Sequence, residues 1–206
     1  MTLLREFREP SAQEAEENLR VIRELMERST RYSTFSGISG ILAGAASIIG
    51  CEMTRHLLQA HAGNPDRANV PILCTWSFVI LFAVGSDYFL TKRHAARVGK
   101  RIVSRLGKQM AYASIPGLGT GGLLTLYLLR HNLLADVFPV WMLCYGIAVC
   151  AVGLFSQREV KLLGVSFLIA GGMTLMMPWI GLPMMAITFG GFHVLYGLIM
   201  AHKDGW

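Results

Sequence analysis

Charged residues in this chain are crowded into a few stretches, and the segments between them are long, apolar and almost free of charge. Each such segment is close to the about 20 residues that an α-helix needs to cross a bilayer. Only 16% of the residues are charged, against about 25% in soluble domains. The sequence therefore predicts an all-α, polytopic membrane protein with six transmembrane helices, over residues 34–51, 70–90, 113–129, 137–155, 162–180 and 184–201.

Lysine and arginine are distributed unevenly between the two sides of these predicted spans. Six precede Tyr32, seven lie between the second and third spans, and three more follow the fourth and sixth spans; only Arg55, Arg67 and Arg130 lie on the opposite side. The positive-inside rule assigns the richer side to the cytoplasm. We therefore predict that both termini are cytoplasmic.

Residues 1–32 precede the membrane domain, which we predict over residues 33–206. Ser11 and Glu14 have the spacing of a helix capping box. Apolar residues then recur at helical spacing, at Ala15, Leu19, Ile22 and Met26. This pattern predicts a cytoplasmic amphipathic helix.

Residues 91–112 join the second and third predicted spans and form the most basic segment of the chain. Apolar residues recur at helical spacing between its cations, which favours a connector lying on the inner membrane surface. There it would bind anionic lipid headgroups. The cations are Lys92, Arg93, Arg97, Lys100, Arg101, Arg105 and Lys108.

The first span carries a row of small residues at spacings of three and four, which places them on one helix face. Small residues allow helix backbones to approach closely in lipid, so this row predicts a packing seam. The partner is either another span of the same chain or a second copy of the protein. The seam consists of Ser33, Gly37, Gly40, Gly44 and Ser47.

The six spans alternate between two sequence patterns. The first, third and fifth contain clustered glycines, whereas the second, fourth and sixth end in a glycine that is followed by cations. We predict three helical hairpins that form a degenerate repeat, an organisation known in small transporters. Close helix packing is the simpler explanation of Pro116 and the glycines around it, Gly117, Gly119, Gly121 and Gly122. The alternative is a break in the third span, which would point to a binding site.

Few polar groups are placed for chemistry. Asp87 and His193 are ionisable residues inside predicted spans, and such residues are costly to bury. They indicate either a proton or ion site or, for the histidine, a hydrogen bond between helices. Glu52, His56 and His61 follow the first span and suit a metal only weakly, since such groups are usually solvated. The sequence predicts no cofactor beyond bound lipid, and no catalytic residues.

The segments IRELMERSTRYSTFSGISGILAGAASIIG and GGFHVLYGLIMAHKDG resemble those of a group of small bacterial integral membrane proteins with six spans and no assigned activity. This resemblance implies a bacterial inner membrane location and transfers no site residues. We expect a non-enzymatic protein that self-assembles or serves as an accessory subunit of a membrane complex. The alternative is a small transporter or channel that uses the break in the third span with Asp87 and His193. The basic charge is explained by the connector, so no nucleic acid partner is expected.

Overall fold

A computed structural model describes residues 13–14, 16–22, 37–64, 66–97 and 105–204. The chain divides into two compact units, Met1–Arg31 and Tyr32–Trp206. In the first unit the described residues are helical, and Leu19 and Ile22 are exposed. Ser11, Ala15 and Met26 lie outside the described residues, so the amphipathic helix over residues 1–32 stays a prediction.

The described part of the second unit is helical. The helices are α1 (Gly37–Ala60), α2 (Asp66–Arg97), α3 (Arg105–Arg130), α4 (Leu134–Gly153) and α5 (Arg158–Met176). A C-terminal rod follows, which consists of a 3-10 turn (Pro178–Ile180), α6 (Gly181–Met185), a π-helical segment (Ala186–Phe192) and α7 (His193–Asp204).

Five of these elements are long and apolar enough to cross a membrane, which agrees with the prediction of a membrane protein. Within the described ranges they are Gly37–Ala60, Asp66–Arg93, Leu134–Gly153, Arg158–Met176 and Pro178–His202. The predicted third span, 113–129, lies in α3, which has 26 residues but a lower hydropathy. Glycines and hydroxyl-bearing residues lower the hydropathy of this helix. The structure therefore confirms five of the six predicted spans as candidates and leaves the third as a prediction.

The alternative of a break in the third span does not agree with the structure, whereas close helix packing does. The structure gives α3 as one helix from Arg105 to Arg130, with Pro116 inside it. Gly117 is buried, and a Cβ added there would lie 2.7 Å from the Cys144 backbone oxygen of α4. Packing against a neighbouring helix lets a membrane helix tolerate proline.

The basic connector is described only in part, and its position on the membrane surface stays a prediction. The flanking helices extend into its two ends. Lys92, Arg93 and Arg97 belong to α2, and Arg105 and Lys108 belong to α3. Residues 98–104, with Lys100 and Arg101, lie outside the described part of the chain. The Arg93 guanidinium stacks over the Phe89 ring, 4.9 Å from its centroid.

The helices pack in an order that leaves one side open. α2 packs mainly along α1, α1 packs along the C-terminal rod, α4 packs on α5, and α3 packs mainly along α4. A core that includes the fully buried Phe167 and Met142 joins the rod to α4 and α5. The two ends of this series, α2 and α3, are therefore free to border a cleft.

The α3–α4 hairpin is closed by a Schellman turn. Asn132 has φ 59°, and its N–H donates to the Leu129 carbonyl at 3.2 Å. The Leu133 N–H donates to the Leu128 carbonyl at 2.9 Å. Asparagine tolerates the left-handed conformation that this turn requires, so α4 folds back directly along α3.

Candidate ligand cleft

A cleft of about 640 Å³ lies between α2 and α3, a volume typical of small-molecule sites. It is lined by residues of both of these helices and by residues of α1, α4, α5 and the C-terminal rod. Most of the lining is apolar, with Ile72, Leu118 and Val149 as examples. A molecule in this cleft would therefore be held largely by apolar contacts.

One polar group at the cleft is Asp87 of α2. The Ser39 hydroxyl of α1 donates a hydrogen bond of 2.7 Å to Asp87 Oδ1. Ser39 is buried and Asp87 is partly buried, and both residues line the cleft. The described part of the chain provides Asp87 with no ion-pair partner.

A second polar group is formed by His193 of α7 and Tyr145 of α4. The Tyr145 hydroxyl and His193 Nε2 are 2.6 Å apart, a hydrogen-bond distance. Phe167 meets the His193 ring edge-on at 5.5 Å, and Phe189 stacks parallel to it at 6.0 Å. His193 Nδ1 is buried and makes no hydrogen bond of regular geometry among the described residues, although it interacts with the backbone of Thr188 and Phe189.

Asp87 and His193 line the same cleft, although each is hydrogen-bonded to a different partner. Tyr145, the hydrogen-bond partner of His193, lines the cleft as well. The π-helical segment ends directly before His193, and such segments are frequent at functional sites. Four helical elements, α1, α2, α4 and α7, thus contribute these polar side chains to the cleft.

Two tryptophans on the cleft wall make matching hydrogen bonds. Trp76 Nε1 of α2 donates to Thr54 Oγ1 of α1 at 3.0 Å, and the threonine hydroxyl donates to the Gly50 carbonyl at 2.8 Å. In the second hairpin, Trp141 Nε1 of α4 donates to Thr125 Oγ1 of α3 at 2.8 Å. The Thr125 hydroxyl donates to the Gly121 carbonyl, again at 2.8 Å. We call these two arrangements the Trp–Thr latches.

The predicted seam lies against the C-terminal rod of the same chain. A Cβ added to Gly37 would lie 2.5 Å from the Gly197 oxygen, and one added to Gly44 would lie 2.6 Å from the Gly190 oxygen. Gly40 approaches Gly197 as well, and Ser47 is buried. Ser33 lies outside the described residues.

The weak metal candidates do not form a cluster. Glu52 forms an ion pair with Arg55, and its carboxylate lies 3.0 Å from His56 Nε2. His61 Nδ1 lies 2.9 Å from the Leu57 carbonyl oxygen. Across the described ranges, no group of three or more histidine, cysteine or acidic residues is placed to hold a metal ion.

Sequence reasoning missed several cleft residues, namely Ser39, Tyr145, Tyr196, Trp76 and Trp141. Hydroxyl and aromatic side chains are common in membrane helices and carry no signal alone. A detectable signal was the repeated threonine four residues after a glycine in the first helix of two hairpins, at Thr54 and Thr125.

Comparisons with protein-family models, curated proteins and solved structures find no match for this chain. The resemblance to a bacterial membrane protein group therefore stays an expectation from the sequence.

Proposed function

We propose that this protein is a small-molecule carrier of the membrane, which admits a largely apolar molecule with one polar group from the bilayer into the cleft. The observation that carries the proposal is the cleft of about 640 Å³ bordered by α2 and α3, which has a mostly apolar lining that includes Asp87, Tyr145 and His193. In this proposal, a lipophilic molecule enters the cleft from the bilayer between α2 and α3.

The arrangement of the two hairpins supports transport rather than storage alone. α1–α2 and α3–α4 carry equivalent Trp–Thr latches, and in each hairpin the helix that borders the cleft, α2 or α3, packs mainly along its hairpin partner. Repeated units that move against each other around a central site are a common design of small transporters. In this proposal, the latches keep each hairpin rigid while the cleft opens and closes.

The finer topology belongs to the same proposal. We infer that α3 is a sixth span, since it is antiparallel to α4 and packs closely along it. Both termini would then be cytoplasmic in a bacterial inner membrane, with Lys92, Arg93 and Lys108 at the anionic lipid headgroups.

The second candidate is a non-enzymatic protein that assembles with itself or serves as an accessory subunit of a membrane complex. The seam provides little support for self-assembly, since Gly37, Gly40 and Gly44 pack within the chain. Numerous exposed apolar side chains, among them Phe78, Leu123 and Leu154, leave room for partner subunits. The mass of the particle extracted from its native membrane distinguishes the two candidates.

The direct test is to fill the cleft. Gly122 lines the cleft with open space around it, so leucine fits there without disturbing a helix contact. Gly119, three residues earlier on α3, is equally open but lies outside the cleft lining. Full-length protein is extracted into lipid nanodiscs, and its bound small molecules are identified by mass spectrometry.

We expect a bound compound in the wild-type and Gly119→Leu proteins and its loss in Gly122→Leu. Proteoliposomes loaded with that compound then test its transport. Equal retention by the two variants, or no compound other than bulk lipid in the wild type, would contradict the proposal.

A further inference from the structure

We propose that the ligand of the cleft is a lipophilic cation, with Asp87 as its counter-ion. This inference rests on the proposed carrier function and adds the chemical class of the substrate. Its basis is the charge and aromatic content of the cleft lining.

The charges at the cleft are of one sign. Among the described residues that line it, Asp87 is the only carboxylate, and no lysine or arginine is present. Among the described residues, Asp87 receives one hydrogen bond, from Ser39. A carboxylate in an apolar site is costly unless a cation or several hydrogen bonds compensate it, and one hydroxyl compensates it only in part. A positively charged ligand supplies the missing partner.

The aromatic content of the lining favours the same ligand class. Aromatic ring faces attract cations, and quaternary ammonium groups are commonly bound in aromatic cages. Apolar side chains between these rings would accept the hydrocarbon body of the ligand. The aromatic residues that line the cleft are Trp76, Phe138, Trp141, Tyr145, Phe189 and Tyr196.

The depth of Asp87 favours a free lipophilic cation over a lipid headgroup. Asp87 lies six residues before Arg93, the end of the apolar span, which is about 9 Å along a helix. The amine headgroup of a bilayer lipid stays at the interface, whereas a compact cation with an apolar body reaches this depth.

The experiment compares probes of matched shape and different charge. Binding of tetraphenylphosphonium, tetraphenylborate and neutral triphenylphosphine oxide is measured on full-length protein in nanodiscs, with empty nanodiscs subtracted. The variants are Asp87→Asn and a matched control on the same helix, Asp66→Asn, which is exposed and outside the cleft. Gly122→Leu reports whether any binding occurs in the cleft.

We expect the wild-type protein to bind the phosphonium and to exclude the borate. Asp87→Asn weakens phosphonium binding by about 30-fold or more, because it removes one partner of a buried charge pair. Asp66→Asn leaves this binding unchanged, and the neutral probe binds equally to wild type and Asp87→Asn, which shows that the cleft is intact.

Two results would overturn the inference. In the first, the neutral probe binds, Gly122→Leu abolishes this binding, and the phosphonium binds no better than the neutral probe or is unaffected by Asp87→Asn. The carrier function then stands, and a cationic ligand is excluded. If no probe binds in a Gly122-sensitive way, both the inference and the carrier function fail.

Discussion

The interface between α1 and α7 and the cleft between α2 and α3 use small residues in opposite ways. At the interface, Gly37 and Gly197 bring two backbones so close that a Cβ added to either would lie 2.5 Å from the backbone oxygen of the other. At the cleft, Gly122 faces open space. Glycine therefore allows close helix packing at the interface and leaves space for a ligand at the cleft. Which of the two occurs depends on the elements that pack against the glycine.

The largest effect is expected at the closed interface. Gly197→Leu should lower the free energy of unfolding by about 3 kcal/mol or more, because overpacking against backbone atoms forces the two helices apart. Gly85→Leu on α2 is the matched control, since nothing lies within 4 Å of its added Cβ. Denaturation of both proteins in detergent, followed by circular dichroism, gives the values. Equal stabilities would show that the α1–α7 interface is looser than described.

Adjacent glycines on α3 sharpen the comparison within one helix turn. Gly121 is buried, and its added Cβ would lie 3.2 Å from the Cys144 Cβ, whereas that of Gly122 has no neighbour within 4 Å. We expect Gly121→Leu to lower the free energy of unfolding by about 1–3 kcal/mol, from overpacking. Gly122→Leu should leave it unchanged, as the same denaturation measurement would show. A reversed order would place the cleft on the other face of α3.

The Trp–Thr latches are expected to contribute less. Trp76→Phe and Trp141→Phe each remove one hydrogen bond, which is worth about 1 kcal/mol. Double-mutant cycles with Thr54→Val and Thr125→Val measure the two coupling energies. We expect similar values because the donor–acceptor distances are 3.0 and 2.8 Å. Trp179→Phe, in a side chain that is 76% exposed, provides the baseline, and coupling in one hairpin only would argue against a repeat.

The smallest effect on stability is expected on the exposed surface, away from the α1–α7 interface and the cleft. Glu52 pairs with Arg55 and His56 on the exposed surface of α1, and exposed ion pairs contribute little to stability. Glu52→Gln should leave the thermal unfolding temperature unchanged within error. A clear decrease would indicate that Glu52 has a bound partner, such as a metal ion or lipid, in the membrane.

The sequence predicted the helices better than the cleft, for physical reasons. Hydropathy identifies spans directly, and Asp87 and His193 were found because ionisable residues are rare within them. Tyr145 and Ser39 were not found, because their importance depends on which helices become neighbours. For Pro116 the sequence left both a break and close packing open, and the structure agrees with close packing, because α3 is one helix packed along α4. α3 is ambiguous as a span because the glycines that allow this packing also lower its hydropathy.

The π-helical segment before His193 has a consequence for insertion and deletion of residues. A π-helical turn holds about one residue more than an α-helical turn of similar height. The chain between Ala186 and Phe192 therefore contains a residue that an uninterrupted α-helix of equal length would lack. Deleting Gly191, whose surroundings are open, should restore a regular helix without shifting either of its ends. In the described bundle, we therefore expect a one-residue deletion in the π-helical segment to leave the helices of the packing seam in place.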